Sequence, residues 1–484
     1  MRHLIFVFTV LVLASACTVG PTFEEPVPAL PERWGAQGDW EIAEHISDQD
    51  VDLEWWRQFG DPVLTDLIDR ARENNLDLRA AVLRVAQARA QRDVVTGNRA
   101  PSLSANGSYR RQRLSEYGTG TRLIDAIDVP GDRGTIIDAL SEPHDVYQIG
   151  FDAGWELDLW GRMRRAVESA DAAFVASTAD LHGAQLSTIG EVARTYLELR
   201  GVQDQLRIAR NDLGATEDLL ELTNFRANGG LVTQLDVVAQ RSKLAQSRAR
   251  IPELEQHETQ LLDWLALLLG QEPGSLRAEL TGTASQAVPP PQLAMGVPAE
   301  LARRRPDIRA AEARLQAAIA EVGVAVADLY PRFTLVGGFL SESLRAGDLS
   351  EWGARQWSVG PSLSLPIFDG GRRRAVVELR KLQQQEAAVA YQRTVLAAWH
   401  EIDTTLDIYE REQRRNEELA AGVEASRDAY EIATLRYRHG MSDFLVALDA
   451  QRTLLQAERA LSESNTLIAT RAVALYKALG GGWE

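Results

Sequence analysis

The residues that could do enzyme chemistry are few and poorly placed for it. His400 and Glu401 are adjacent, but a zinc protease needs a second histidine at helical spacing and none follows. The segment YGTGTR has glycines like those of a phosphate-binding loop, yet it follows no apolar strand and opens no helix. The acidic cluster Asp48, Asp50 and Asp52 favours a solvated tether over a weak cation site. We therefore predict no enzyme activity, cofactor or metal.

Cys17 is the only cysteine, and the residues before it predict a covalent modification. Residues 1–16 carry Arg2 and His3, then an apolar run and small residues, which is the order of a signal peptide too short to span a bilayer. The sequence LASAC is similar to a bacterial lipobox, in which the cysteine is diacylated and becomes the mature N-terminus. Alternatively, Cys17 merely follows a signal-peptidase site. Thr18, directly after it, favours the outer membrane.

Composition excludes some classes of partner. The formal net charge is −17, and no run of Lys or Arg dominates, which argues against nucleic acid. With 484 residues, 45% of them hydrophobic, the chain can bury a sizeable core. After the signal peptide no apolar run is long enough for a spanning helix, so strands must do any membrane spanning.

Comparison of the chain with itself reveals two copies of one unit. At a shift of 230 residues, DLRAAVLRVAQARA lies over DIRAAEARLQAAIA. Further along the shift is 210, where Gly161, Arg162, Arg226, Gly230 and Gly270 coincide with Gly371, Arg372, Arg436, Gly440 and Gly480. The change of shift predicts about twenty extra residues in the first copy, in a polar loop between Tyr109 and Val146.

The sequence of each copy predicts the same order of elements: helix, strand, loop, strand, very long helix, turn and long helix. The second strand of copy one, VYQIGFDAGWEL, places Tyr147, Ile149, Phe151 and Trp155 on one face and Gln148, Asp152 and Glu156 on the other. The other predicted strands are SLSANGSYR, FTLVGGFL and QWSVGPSLSLPIF, the last interrupted by Pro361 and Pro366.

The stretch from Arg162 to about Arg226 predicts one helix of roughly 65 residues, about 100 Å long. Its apolar residues step by three and four, as in a coiled coil: Ile189, Val192, Tyr196, Leu199, Val202, Leu206, Ala209 and Leu213. The helices turn back at glycines suited to helix ends. Pro252 is expected to break or kink the first return helix.

Four strands cannot close on themselves, and an open sheet cannot lie in lipid. Three chains would supply twelve strands, which is an even number within the range of membrane barrels. We therefore predict a mainly α protein with a membrane β-barrel part: four strands per chain close a twelve-stranded barrel in a homotrimer, and a long α-helical barrel continues it. The apolar strand face is expected to contact outer-membrane lipid.

Several long motifs carry a family resemblance. They are CTVGPTFEEPVPALPERW, WELDLWGR, LARRRPDIRAAEARL, SLPIFDGGRRRA, LRYRHGMSDFLVALDAQR and LYKALGGGW. From Cys17 to Trp483 the chain resembles the outer-membrane efflux lipoproteins of the TolC family, in the OprM-like (NodT) branch. The resemblance implies a trimeric channel-tunnel in the outer membrane with a long periplasmic part. It also implies two partners, a periplasmic adaptor (membrane fusion) protein and an inner-membrane pump of the resistance-nodulation-division class.

The resemblance also implies a periplasmic gate near the helix turns, made of Tyr437, Leu445, Asp449, Arg452 and Asp236. In a trimer, Asp236 and Asp449 would bring up to six carboxylates into a narrow lumen, which favours cations. The alternative is that Asp449 is a solvated residue near a helix start. The matching adaptor-contact tips are Gly230, Leu231, Val232, Gly440 and Met441, which would cap helices in any case.

These observations divide the chain into a signal peptide (1–16), a lipidated extended tether (17–62), a first repeat (63–284), a Pro-rich linker (285–300) and a second repeat (301–484). The expected function is a passive trans-periplasmic duct for drugs or other small toxic compounds. Metal-ion export and type I protein secretion remain alternatives, because the same tunnel serves both. A periplasmic adaptor or a structural coiled-coil lipoprotein would lack the paired strands.

Overall fold

The computed structural model describes residues 18–26, 54–118, 132–281 and 304–483, together with the backbone of a two-residue parallel pair, Ile46–Ser47 with Leu293–Ala294. The predicted signal peptide, Cys17 and the acidic cluster Asp48, Asp50 and Asp52 lie outside the described residues. Most of the polar loop of the first copy and of the Pro-rich linker lies outside them too.

Helices make up most of the described chain. The helices longer than two turns are α1 Pro62–Asn74, α2 Leu76–Gly97, α3 Arg133–Ser141, α4 Arg162–Asn228, α5 Gln234–Leu268, α6 Pro306–Ala327, α7 Arg372–Arg438 and α8 Phe444–Ala478. The longer strands are β1 Ser102–Gln112, β2 His144–Leu157, β3 Arg332–Ser343 and β4 Arg355–Ser364. Among the described residues, no helix combines the length and the apolar character that crossing a membrane requires.

The elements repeat with the two shifts found in the sequence. Helices α4 and α7 both have 67 residues and begin 210 residues apart, and α5 and α8 both have 35 residues at the same shift. Helices α2 and α6 both have 22 residues and begin 230 residues apart. The predicted order of elements is therefore confirmed in both halves.

The chain forms two compact units, and the first holds the sheet. This unit contains the described residues among 1–24, 88–173 and 315–386. Its four strands are antiparallel in the order β1, β2, β3, β4. One row across the sheet pairs Ala105, Phe151, Phe339 and Trp357, and the next pairs Ser104, Asp152, Gly338 and Ser358. Since directly paired residues share a face, the predicted apolar and polar faces are confirmed.

Pro361 lies inside β4, the last strand of the sheet, where it pairs with Leu335. A proline is tolerated there because an edge strand has a neighbour on one side only. The strand ends at Ser364, two residues before Pro366. The sequence alone did not reveal this end.

The second unit is helical and contains the described residues among 25–87, 174–314 and 387–484. Seven of the eight predicted seam residues of α4 are buried, and Leu213 is half-buried. Trp55 stacks on Tyr476 of α8 at 5.1 Å between ring centroids, and its Nε1 donates to the carbonyl of Gly481. Tyr196 donates to Asp61, whose carboxylate also caps α1 through the amide of Val63. These contacts join the segment that leads into α1 to the end of α8 in one core.

Two local features differ from what the sequence led us to expect. Helix α5 continues through Pro252, so the expected break does not occur. Its neighbours Leu254, Leu261 and Leu262 are buried, so packing outweighs the lost backbone hydrogen bond. The insertion in the first copy is also not loop throughout, because helix α3 begins at Arg133, capped by Asp132.

Candidate functional site

The two hairpin turns are built in the same way. Two residues after the end of α4, Gly230 has a φ of +71°, and two residues after the end of α7, Gly440 has a φ of +72°. The next amide donates back into the helix in both turns, from Leu231 to the carbonyl of Arg226 (2.9 Å) and from Met441 to that of Arg436 (2.8 Å). Both turns therefore end as a Schellman motif, which requires the left-handed conformation that glycine adopts at no cost.

The tips of these turns present apolar side chains to solvent. Leu231 is 68% exposed and Met441 is 60% exposed, while Val232 is half-buried. Exposed large apolar groups at the ends of long helices are typical of a surface that meets another protein. The predicted tip residues therefore lie where a partner can reach them.

Tyr437 is buried at the end of α7 and is held from several sides. Its ring lies edge-on to Phe444 at 5.9 Å, and its hydroxyl is 3.4 Å from the Oγ1 of Thr223. The guanidinium of Arg226 lies 4.5 Å above the ring, and its Nη1 donates to the Tyr437 carbonyl. Tyr437 thus connects the two hairpins within one chain.

Arg226 was not among the predicted site residues. Its coincidence with Arg436 in the repeat was visible in the sequence, but nothing there indicated a contact across 211 positions. A planar guanidinium can stack on an aromatic ring and donate from its edge at once, which lysine cannot do. The structure therefore adds Arg226 to the candidate site.

Leu445, Asp449 and Arg452 lie on the exposed side of α8. The Nη2 of Arg452 is 3.0 Å from the Oδ1 of Asp449, and both side chains are at least 70% exposed. Leu445 and Asp449 line a groove of about 630 Å³ whose other wall is a row of small residues on α7, including Ala425, Ala429 and Ala433. The predicted gate residues on this helix thus share one surface, with the leucine one turn from the ion pair.

Asp236 has a different environment. Its carboxylate accepts hydrogen bonds from the amide (2.9 Å) and the hydroxyl (2.8 Å) of Thr233, and its own amide bonds back to that hydroxyl. This is a capping box at the start of α5. The structure therefore brings Asp449 and Arg452 together, while Tyr437 and Asp236 bond to other residues.

A buried polar network behind the turns joins the two hairpins. The carboxylate of Asp212 accepts from Lys243 (3.2 Å), Ser247 (2.7 Å) and Gln451 (3.3 Å). Gln451 also donates to Thr216 at 3.0 Å. A buried charge of this kind persists only when paired and hydrogen-bonded, so the network fixes one arrangement of three helices.

The segment after the predicted lipidation residue Cys17 contacts the start of α4. The amide of Val19 donates to the carbonyl of Trp160 at 3.1 Å. A Cβ atom at Gly161 would lie 2.6 Å from the Cγ2 of Thr18, so only glycine fits there. The first described residues are therefore fixed at the junction between β2 and α4.

A four-stranded antiparallel sheet combined with two matched helical hairpins defines a channel-tunnel protein. The solved outer-membrane channel OprN has this fold, with a TM-score of 0.85 and 36% identity over 96% of this chain and 100% of OprN. The chain belongs to the outer membrane efflux protein family, whose sequence pattern matches residues 67–271 and 297–481. The predicted family, fold and outer-membrane location are confirmed.

Relatives of known role cover nearly the whole chain. The pyoverdine export outer membrane protein OpmQ of Pseudomonas putida is 36% identical over 90% of this chain and 89% of OpmQ. The solvent efflux pump outer membrane protein SrpC of Pseudomonas putida is 31% identical over 98% of this chain and 97% of SrpC. The protein is accordingly an outer-membrane efflux channel.

Proposed function

We propose that the protein is the passive outer-membrane duct of a tripartite efflux system and that it works as a homotrimer. The observation that carries this proposal is the sheet, in which β1 and β4 each pair with only one other described strand. Unpaired backbone amides are not tolerated in hydrocarbon. Three copies joined from β4 to β1 would pair every edge and close a twelve-stranded barrel.

The gate of this duct is formed by Tyr437, Leu445, Asp449, Arg452 and Asp236, with Arg226 holding Tyr437. The exposed ion pair between Asp449 and Arg452 and the neighbouring Leu445 support a closure that is partly electrostatic and partly apolar. In a trimer these residues recur three times around one axis. Opening then requires the helix ends to move apart.

The tips meet a periplasmic adaptor protein, which connects the duct to an inner-membrane pump of the resistance-nodulation-division class. The exposed side chains of Leu231 and Met441 support an apolar contact at Gly230, Leu231, Val232, Gly440 and Met441. A photo-crosslinking residue at Leu231 is expected to capture the adaptor. The same residue at Trp264, which is also exposed but lies near the far end of α5, is the control.

Small organic compounds are the proposed cargo. The names of OpmQ and SrpC attach those relatives to pyoverdine export and to solvent efflux. Pyoverdine and solvents are organic molecules. This supports drugs or other small toxic compounds, rather than metal ions or proteins, as the cargo of this chain.

Diacylation of Cys17 and the two repeats 63–284 and 301–484 belong to the same proposal. The docking of Thr18 and Val19 at the β2 to α4 junction supports a lipid anchor close to the sheet. The equal lengths of the matching helices support the repeats.

The mass of the detergent-extracted protein tests the proposed assembly. Light scattering coupled to size exclusion is expected to give three chains per particle, and planar bilayers containing this particle are expected to conduct ions. A monomer, or a trimer that never conducts, would contradict the duct.

A further inference from the structure

The two strand-to-helix junctions treat an equivalent pair of arginines differently. At the first junction, Arg162 makes a bidentate bond with Glu156 at 2.9 and 2.7 Å. Arg164 pairs with Asp158 at 3.3 Å, and Asp158 also accepts the amides of α4 at Met163 and Arg164. Both arginines are therefore neutralised within the chain.

At the second junction the same two carboxylates are missing from the sequence. At the shift of 210 residues, Arg372 and Arg374 correspond to Arg162 and Arg164, but Pro366 and Phe368 stand where Glu156 and Asp158 would be. Both arginines are exposed, and neither forms an ion pair with any residue that the structure describes. The nearby Asp369 pairs with Arg373 at 3.4 Å. From residue 365 to 375 the formal charge is +2, on a chain of charge −17.

The residues next to these arginines are apolar and almost fully exposed. Ile367 is 93% exposed and Phe368 is 91% exposed, and they lie three and four residues after the end of β4. Aromatic and aliphatic groups beside arginine are typical of the boundary between hydrocarbon and lipid head groups. The apolar pair suits the acyl side of that boundary and the arginines suit the phosphate side.

A neighbouring copy would not supply the missing negative charge. The edge strand that could pair with β4 is β1, and the segment leading into it, 97–101, carries a single charged residue, Arg99. Arg99 is exposed, so joining β4 to β1 would bring a third positive charge towards Arg372 and Arg374. The segment of the neighbouring copy that leads into β1 therefore supplies no carboxylate to these arginines, which leaves them available to an external anion.

We propose that Ile367, Phe368, Arg372 and Arg374 form a surface that binds the head groups of anionic phospholipids. Each guanidinium binds the phosphodiester of one lipid, whose charge no cation in the same head group offsets, and Phe368 and Ile367 enter the acyl layer beside it. Positions 372 and 374 lie on opposite sides of the first turn of α7, so each arginine contacts its own phosphate. The site rests on the proposed function, because the sheet must lie in the outer membrane for lipid to reach it.

Native mass spectrometry of the full-length protein in detergent tests this site. The protein is mixed with equal amounts of phosphatidylglycerol and phosphatidylcholine, and the lipids that stay bound are counted. The wild-type chain is expected to retain phosphatidylglycerol in preference. Replacing both arginines (Arg372→Gln with Arg374→Gln) should weaken phosphatidylglycerol binding by about fivefold for each arginine and phosphatidylcholine binding much less, because the choline cation already offsets the phosphate charge of that lipid.

A matched variant keeps both arginines and restores the pattern of the first junction. Pro366→Glu with Phe368→Asp places carboxylates where Glu156 and Asp158 stand in the first copy. This variant should also lose the preference for phosphatidylglycerol, because the arginines are then neutralised internally. Phe368→Ser alone should weaken the binding of both lipids to a similar extent, since the aromatic ring does not distinguish head groups.

Three results would overturn the proposed site. An unchanged lipid preference in the double arginine variant would show that the two arginines do not bind lipid phosphate. Loss of the trimer in that variant, with the preference intact, would assign these residues to the contact between copies. Displacement of phosphatidylglycerol by millimolar inorganic phosphate would identify free phosphate as the ligand. If the wild-type protein is a conducting trimer, the duct stands whichever of these results the variants give, so the two proposals fail separately.

Discussion

The guanidinium of Arg226 lies 4.5 Å from the ring centroid of Tyr437 and donates a hydrogen bond to the carbonyl of the same residue. One side chain of the first hairpin thereby fixes both the ring and the backbone at the end of the second. Tyr437 is 1% exposed and Arg226 is half-buried, so this contact is partly shielded from solvent and from salt. The contact therefore couples the end of α4 to the end of α7.

Loss of this contact is expected to favour the open channel. In Arg226→Ala, the stacking and the charge-assisted hydrogen bond disappear together, and we expect the open fraction in planar bilayers to rise about tenfold. Arg241→Ala is the control, because Arg241 is exposed on α5. An equal open fraction in both variants and in the wild type would show that Arg226 does not restrain the gate.

Asp449→Ala is expected to raise single-channel conductance and to lower cation selectivity. The variant removes one carboxylate per chain from the groove lined by Leu445 and Asp449 and leaves Arg452 in place. The exposed ion pair itself contributes about 1 kcal/mol or less, so the protein should remain folded. Asp443→Ala, at the start of the same helix and outside the groove, should leave both quantities unchanged.

The two junction glycines provide a matched pair of stability tests. Gly161 and Gly371 have φ values of +81° and +85°, so an alanine at either position is strained by about 1 to 2 kcal/mol. A Cβ at Gly161 would also strike Thr18, while at Gly371 it meets nothing within 4 Å. We expect Gly161→Ala alone to expose residues 18–26 to limited proteolysis. Equal cleavage of both variants would contradict this role of Gly161.

Tyr409 gives the protein a defined sensitivity to alkali. Burial raises the pKa of Tyr409 to about 12, above the usual value of 10. The neutral form is therefore favoured in the fold, and its contribution to stability is complete below pH 10 and is lost as the pH rises from 10 towards 12. The loss amounts to about 2 to 3 kcal/mol.

Thermal unfolding of the detergent-solubilised protein between pH 8 and 11.5 measures this effect. Tyr409→Phe removes the hydroxyl that accepts a hydrogen bond from Gln413, so its melting temperature should fall less steeply above pH 10. Tyr117→Phe is the control, because Tyr117 is 97% exposed. An identical alkaline slope in Tyr409→Phe and the wild type would contradict the assignment.

The sequence predicted those parts of the fold that depend on local pattern. Gly230 and Gly440 mark helix ends because a left-handed residue is needed there, and the alternation from Tyr147 to Trp155 marks a strand. Arg226 was missed because its partner Tyr437 lies 211 residues away in α7, and Asp212 was missed because its link to the second hairpin, Gln451, lies 239 residues away in α8. The break predicted at Pro252 does not occur because the packing of α5 outweighs the low helix propensity of one proline.

The equal lengths of the paired helices restrict how this protein can change in size. A seven-residue deletion is two helical turns, which preserves the facing residues within a coiled coil. Made in α4 and α5 alone, it would shorten one hairpin and separate Arg226 from Tyr437, because α7 and α8 would keep their lengths. An insertion or deletion that keeps the turns in register must therefore occur four times, in α4, α5, α7 and α8.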